Sequence, residues 1–222
     1  MNNAAYLGLA VAGAACADGG AQPWLLQGPR VLAIRADPVA LPTGEPVVLE
    51  ALAHATTEFT WWGCSQPWIA QADPVCPSGA LALGSGNPVT VDPPAGAPAL
   101  YVRLDARGPS GRAEPAIVRL QAGATGRNPL VAIEQDSGAA VPATLAKAAD
   151  IRLRPRVPGG SPTGAFTTFY ATGGTFSPWR TVGSDASRWQ APELPGPVTV
   201  TVIVRDGQGG VGWQSATVAV QP

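Results

Sequence analysis

The chain of 222 residues carries little charge and almost no lysine or histidine. Charged residues make up 13% of it and the formal net charge is −1, whereas a typical soluble domain has about 25% charged residues. The single lysine is Lys147 and the single histidine is His54. A chain without a positive field lacks the electrostatic footprint of a nucleic-acid binder or of a polybasic membrane-surface protein. We therefore predict no nucleic-acid partner.

Patterns that mark common catalytic sites are also missing. His54 lies between two alanines with no nucleophile motif around it, and Gly84-Ser85-Gly86 lacks the spacing of a nucleophile elbow. The glycine-rich residues 207–210 lie between two predicted strands, which indicates a hairpin rather than a phosphate-binding loop. The sequence therefore predicts a protein that is not an enzyme, with no catalytic residues and no cofactor.

Glycine and proline, in contrast, are abundant, with 27 and 24 residues, and 45% of the chain is hydrophobic. This composition indicates a folded chain with a buried core and argues against helical bundles. Apolar and polar residues alternate with period two in short segments, most clearly in residues 100–105. The one candidate helical stretch, residues 141–149, contains Pro142, so at most one helical turn is expected there. The predicted fold class is all-β.

The chain contains an internal repeat. Residues 31–37 are similar to residues 130–136, 99 positions later, and Arg107-Gly108 after one strand corresponds to Asp206-Gly207 after another. About 100 residues is the size of one immunoglobulin-like sandwich of roughly seven strands. We predict two tandem immunoglobulin-like β-sandwich domains, residues 29–123 and 129–222, after an N-terminal signal and tether segment, residues 1–28. The linker between the domains is short enough for them to touch.

Three stretches resemble known exported proteins. Residues 29–38 and 42–51 resemble the opening of exported immunoglobulin-like lipoproteins common in high-GC delta-proteobacteria, and residues 200–211 resemble the closing hairpin of bacterial PKD-like and cadherin-like repeats. This resemblance implies fold and export, but not a role, because such sandwiches host many functions. Related-looking repeats bind calcium at domain junctions, and Asp105, Asp136 and Asp206 are candidates by position. No D-x-D-x-D string accompanies them, so no metal is predicted.

The N-terminus predicts export. Residues 4–15 form an apolar run that is too short for a membrane span of about 20 residues but matches a signal-peptide core. Residues 13–16 resemble a bacterial lipobox, which implies that Cys16 carries a lipid and becomes the mature N-terminus. The alternative is cleavage by ordinary signal peptidase, which leaves Asp18 first. We expect a lipid-anchored protein of the outer membrane, cell surface or periplasm.

With Cys16 acylated, Cys64 and Cys76 remain as an even pair in an oxidising compartment. We predict that they form a disulfide. Zinc binding is the alternative, but one histidine in the whole chain cannot complete a four-ligand site with these two thiols. Because the two cysteines flank a single loop, the bridge is expected to clamp that loop rather than to span the core.

Three tryptophans lie within residues 61–68, next to this loop. Strand parity places Trp61 on one face and Trp62, with Cys64, on the other. The position of Trp61 resembles that of the buried tryptophan in the immunoglobulin fold, which implies that Trp61 lies in the core. Trp62 and Trp68 form a candidate binding patch, or alternatively cover the disulfide. The predicted function is a binding or adhesion module for an envelope protein or a polysaccharide. The alternatives are a structural spacer or accessory subunit of an envelope assembly, and a carbohydrate-binding module using the exposed tryptophans.

Overall fold

The computed structural model describes residues 22–42 and 44–222, and this part of the chain contains strands but no helix. The all-β prediction is therefore confirmed. No helix among the described residues is long and apolar enough to cross a membrane. The predicted signal segment and Cys16 lie outside the described residues.

Seventeen strands follow one another in the described part of the chain. Those of the first half (residues 30–121) are β1 (Arg30–Asp37), β2 (Val47–His54), β3 (Glu58–Cys64), β4 (Leu81–Ser85), β5 (Val89–Val91), β6 (Ala99–Gly108), β7 (Gly111–Arg112) and β8 (Ala116–Gln121). Those of the second half (residues 132–221) are β9 (Ala132–Gln135), β10 (Thr144–Ala146), β11 (Asp150–Arg156), β12 (Phe166–Ala171), β13 (Thr175–Ser177), β14 (Arg180–Val182), β15 (Ser187–Gln190), β16 (Gly196–Arg205) and β17 (Val211–Gln221).

In the first half, two sheets enclose one core. One has the strand order β1-β2-β5, and the other has the order β4-β3-β6, with β7 and β8 both paired to β6. Alternate residues from both sheets meet between them, so that Leu49 and Val91 of the first sheet pack in one cluster with Trp61 and Val102 of the second. The ring of Trp61 is fully buried, as predicted, and its indole N–H donates to the carbonyl of Gly86 at 2.8 Å.

In the second half, two further sheets also enclose one core. Their strand orders are β10-β17-β16-β12-β14 and β13-β15-β11-β9. Leu153, Phe176 and Trp189 from the second of these sheets pack against Phe169 and Val202 from the first. The predicted helical turn at residues 141–149 is instead the short strand β10, which pairs in parallel with β17.

The two halves pack against each other. Leu32 and Ala33 of β1 form an apolar cluster with Ile203 and Val211 of the β16–β17 hairpin. The guanidinium of Arg35 lies 4.5 Å from the ring centre of Trp213. Ile203 faces away from the core of its own half by strand parity, yet it is fully buried because β1 covers it.

The connection between the halves is held by polar contacts. The Asn128 amide donates to the Ala36 carbonyl at 2.8 Å and accepts from the Val211 N–H at 3.1 Å, so one side chain joins both halves. The buried carboxylate of Asp206 accepts from the backbone N–H groups of Arg127, Gln208 and Gly210. A Cβ on Gly210 would lie 2.1 Å from the Arg127 carbonyl oxygen, so this close approach requires glycine.

Part of the predicted tether is an ordered segment. Leu26 is 5% exposed in the cluster between the halves, and Trp24 packs against the core of the second half. The N–H of Leu26 donates to the Ala171 carbonyl at 2.8 Å, and the N–H of Ala171 donates to the Trp24 carbonyl at 2.9 Å. Three consecutive large apolar residues, 24–26, make this packing favourable, since burying them removes hydrocarbon from water. The segment thus precedes the first half in sequence but lies against the second.

Candidate functional site

The candidate site lies on the outer face of β3 and β6, opposite the core. Strand parity places Thr60 and Trp62 on this face of β3, beside their β6 partners Asp105 and Arg103. An irregularity in the pairing of β3 with β4, between Trp61 and Trp62, changes the register at this point. The pairing of β3 with β6 has no such shift. Along this regular pairing, the alternation that buries Trp61 directs Trp62 outward, as the sequence predicts.

The disulfide directs the following loop over this face. Cys64 is the last residue of β3 and is bonded to Cys76, with their Cα atoms 5.8 Å apart, which confirms the predicted bridge. Both cysteines are buried. Between them, Ile69 and Val75 exchange two backbone hydrogen bonds of 2.9 and 3.3 Å, which closes the tip of the loop as a small hairpin.

Arg103 holds the loop against the sheet. Its side chain is 9% exposed, and it donates to the carboxylates of Asp73 and Asp105 and to the carbonyl of Pro74. Alternation along residues 100–105 places Arg103 on the polar, outward face of β6. It is buried instead because the loop closes over it, and the three acceptors compensate the buried charge, as a buried guanidinium requires.

Arg112 completes the cluster from β7. Its guanidinium lies 2.8 Å from Asp105 and 3.5 Å from Asp73. The hydrogen bond from Arg103 is the main cause that lowers the pKa of Asp73, and the positive charge of Arg103 is the second. The hydrogen bond to Asp105 raises the pKa of Arg112. Both groups are thus held in their charged forms. Nothing in the spacing of these residues along the chain marks them as one cluster.

The two tryptophans of the predicted patch have different environments. Trp68 donates its indole N–H to the Tyr101 carbonyl at 3.1 Å, and its ring lies 5.5 Å from the Arg103 guanidinium. Trp62 is half-buried, and none of the hydrogen bonds found among the described residues involves its indole N–H. Trp68 therefore anchors the loop, whereas Trp62 has an unused donor.

Between the loop and the sheet lies an open groove of about 650 Å³. Its lining combines Trp62, Trp68 and Val75 with three acidic and three basic side chains: Glu58, Asp73, Asp105, Arg103, Arg107 and Arg112. The predicted apolar patch is thus a mixed surface. Exposed apolar side chains lie instead at the loop tip, where Ile69 is 53% and Val75 is 46% exposed.

Of the three carboxylates weighed for calcium, Asp105 lines this groove, whereas Asp136 and Asp206 do not. Among the described residues, no three histidine, cysteine or acidic side chains come together as a metal site would require. Asp105 is bound by arginines and Asp206 by backbone N–H groups. Asp136 pairs with Arg152 at 3.0 Å on the outer face of the second half.

No protein-family model matches the chain, and no curated protein matches it. Solved structures that it resembles include E. coli alpha-2-macroglobulin, at 12% identity and a TM-score of 0.33, over 88% of this chain and 17% of that one. A β-glycosidase from Bacteroides vulgatus is 14% identical, with a TM-score of 0.31, over 88% of this chain and 25% of that one.

The adhesin InvE of Yersinia pseudotuberculosis is 12% identical, with a TM-score of 0.29, over 87% of this chain and 60% of that one. The chain thus spans only part of the length of each of these three proteins. Likeness at this level indicates no particular activity or partner.

Proposed function

We propose that the chain is an exported, lipid-anchored binding module made of two immunoglobulin-like sandwiches, residues 29–123 and 129–222. In the immunoglobulin fold, the first, second and fifth strands share one sheet, while the third, sixth and seventh share the other. The strand orders β1-β2-β5 and β4-β3-β6-β8 support this plan for the first half. In the second half, β9, β11 and β15 lie in one sheet and β12, β16 and β17 in the other, which supports a second copy.

The proposed ligand site is the groove between β3 and the disulfide loop, and the proposed ligand is a neutral polysaccharide. The observation that carries this proposal is the half-buried Trp62 on a groove wall whose charges are matched in number and largely paired with one another. Matched charges exert little net attraction on an ion, but they offer hydrogen-bond donors and acceptors to hydroxyl groups. An indole ring supplies a flat apolar surface with a polar N–H, which suits a sugar ring.

The charged state of the groove supports binding rather than hydrolysis. Glycoside hydrolysis requires one carboxyl that stays protonated near neutral pH, and such a group needs a raised pKa. Arg103 lowers the pKa of Asp73 instead. We therefore propose a module without enzymatic activity.

Tryptophan fluorescence tests the site. Titration with neutral polysaccharides such as dextran and soluble cello-oligosaccharides should change the emission saturably, and the acidic polysaccharide alginate should not. Trp62→Ala should abolish the response. Trp179→Ala, which removes another half-buried indole outside the groove, should keep it. If no neutral polysaccharide produces a response, or if Trp62→Ala responds like the wild type, the proposed site is wrong.

A structural spacer is the second candidate, and the junction between the halves favours it. Apolar packing, the Asn128 contacts and the ordered segment at residues 22–28 all link the two halves. A spacer needs such a fixed length between its ends. It would bind no polysaccharide, and chemical cross-linking in native envelopes would join it to other envelope proteins at both ends.

A further inference from the structure

A second cleft, of about 340 Å³, lies between the two halves and far from the disulfide loop in sequence. The first half contributes residues 31–34 of β1 and residues 116–118 of β8. The second half contributes Phe166, Arg205 and the turn of the β16–β17 hairpin. Its walls are mostly apolar, and Arg205 is the one charged side chain among the lining residues that the structure describes.

Arg205 has unused hydrogen-bonding capacity. It donates to the Leu32 carbonyl at 2.9 Å and lies 3.5 Å from the Thr168 hydroxyl, which leaves most of its five N–H groups free. Within the described residues, neither Arg205 nor Arg180 forms an ion pair, and both guanidiniums lie over the ring of Phe166, at 5.7 and 5.0 Å.

This environment is unfavourable for a lone cation. Burial, together with the neighbouring Arg180 charge, lowers the pKa of Arg205. A partly buried charge without a counter-ion is costly, so a carboxylate placed on Arg205 would gain more here than at a solvated arginine. The cleft is thus complementary in charge to an anionic group.

The strand that forms the other wall has a free edge. β8 pairs with β6 on one side, and on its other side the described residues make only an isolated bridge between Ala40 and Gln121, at the strand's end. In the second half, the corresponding last strand, β17, is covered by β10. An uncovered edge exposes backbone N–H and C=O groups that an added strand can bind.

We propose that this cleft binds an extended peptide segment of another protein, which adds as a strand to the free edge of β8 and places a carboxylate on Arg205. The edge supplies main-chain hydrogen bonds, and the apolar walls accept alternate side chains of the peptide. Arg205 then fixes the register, because a guanidinium binds a carboxylate through two parallel hydrogen bonds. This site is independent of the groove at Trp62.

Selection from a displayed library of random dodecapeptides tests the proposal. The recovered peptides should share alternating apolar residues and one acidic residue or a free C-terminal carboxylate. Their synthetic copies, measured by fluorescence polarisation, should bind Arg205→Met about ten- to a hundredfold more weakly, which is the usual loss for a charged hydrogen bond. Replacing the peptide carboxylate by its amide should have a similar effect on the wild-type protein.

Two further variants define the surface. Ile117→Lys places a charge on the β8 edge at a position 46% exposed, so the fold should persist while peptide binding is lost. Arg188→Met removes an equal charge from the opposite sheet, where Arg188 pairs with Asp150, and should bind peptide like the wild type. If Arg205→Met does not fold, the affinities of Ile117→Lys for the peptides, and of the wild type for the amide peptides, still test the proposal.

Three results would overturn the proposal. The first is that the library yields no binding peptide. The second is that the recovered peptides bind Ile117→Lys as well as they bind the wild type. The third is that their affinity does not depend on the carboxylate. Trp62→Ala should leave peptide binding unchanged, so the outcome here is separate from that of the polysaccharide titration.

Discussion

The guanidinium of Arg103 on β6 reaches the carboxylate of Asp73 in the disulfide loop, 30 positions earlier in the chain. Through this ion pair and the bond to the Pro74 carbonyl, the sheet itself holds the loop that forms the far wall of the groove. The covalent clamp at Cys64–Cys76 closes the loop at its base, and Arg103 holds the segment just before Cys76 against the sheet. The shape of the groove therefore depends on a charge as well as on a disulfide.

Replacement of Arg103 by methionine should release the loop. The variant leaves the Pro74 carbonyl without its donor and leaves Arg112 as the remaining partner of the Asp73 and Asp105 carboxylates, so we expect a loss of about 2 kcal/mol in the free energy of unfolding. Hydrogen exchange of the amides of residues 69–76 should rise well beyond that of the β6 amides. Arg112→Met, which removes a more exposed partner of the same carboxylates, should have a smaller effect. Equal effects of the two variants would mean that Arg103 does not hold the loop.

Acidification should loosen the same loop. The pKa of Asp73 in the folded protein lies below its ordinary value of 3.8, mainly because Arg103 donates a hydrogen bond to it. The stabilising contribution is therefore complete above that ordinary value and is lost as the pH falls through the lower, folded one. Hydrogen exchange of the loop should increase over this acidic range in the wild type. Asp73→Asn should show fast exchange already at neutral pH, with a weaker response to acid, and an unchanged response would contradict the assignment.

The neighbours Trp61 and Trp62 should respond oppositely to truncation. Trp61 is fully buried in the core, so Trp61→Ala should cost about 3 to 5 kcal/mol of stability. Trp62 is half-buried on the outer face, so Trp62→Ala should cost less than about 1 kcal/mol, as for surface positions. Thermal or denaturant unfolding of the two variants gives the comparison. A similar loss in both would make Trp62 a structural residue and would favour the spacer over the binding module.

Strand parity predicted much of this site, because alternation depends only on local geometry. It placed Trp61 inward and Trp62 outward, and the spacing of Cys64 and Cys76 identified the local clamp. Parity also placed Arg103 on the outer face. It could not predict that Arg103 is buried there, because its burial depends on the path of the loop over the sheet. That path is set by contacts with Asp73 and Pro74, which have no signature in sequence spacing.

The junction between the halves shows the same limit. Alternation along β16 places Ile203 on the outer face of the sheet. That face is nevertheless buried, because β1, more than 160 positions earlier in the chain, covers it. Residues 24–26 also follow a flexible-looking stretch, and only the three-dimensional fold reveals that they pack on the second half. Contacts between separate sheets depend on the geometry of the connection, which composition and periodicity do not encode.

Removal of the disulfide should weaken the first half selectively. The double variant Cys64→Ser, Cys76→Ser frees a loop closed over 12 positions, and we expect a loss of about 2 to 4 kcal/mol. The unfolding of the second half, followed by hydrogen exchange of the amides of β16 and β17, should change little. Alkylation of the unreduced, unfolded wild-type protein provides the control, since bonded thiols do not react. Alkylation of both Cys64 and Cys76 there would contradict the bridge.

Anchoring through Cys16 is expected to place the protein in the membrane fraction. Expression with the native N-terminus should yield a detergent-extractable protein whose first residue is a lipid-modified cysteine, and Cys16→Ser should release it. Cys64→Ser provides a matched cysteine control that should stay anchored. A soluble wild-type protein beginning at Asp18 would show that ordinary signal peptidase cleaves the chain.

Replacement of Asn128 should loosen the contact between the two halves. Its amide donates to Ala36 in the first half and accepts from Val211 in the second, so Asn128→Ala leaves one carbonyl and one N–H unpaired. We expect a loss of about 1 to 3 kcal/mol. We also expect a larger radius of gyration by small-angle X-ray scattering, because the halves then move apart. Asn87→Ala removes similar bonds, to Ala51, within the first half alone. It should lower stability without changing the radius. If Asn128→Ala keeps the wild-type radius, the apolar cluster around Ile203 fixes the arrangement of the halves, and Asn128 contributes only to stability.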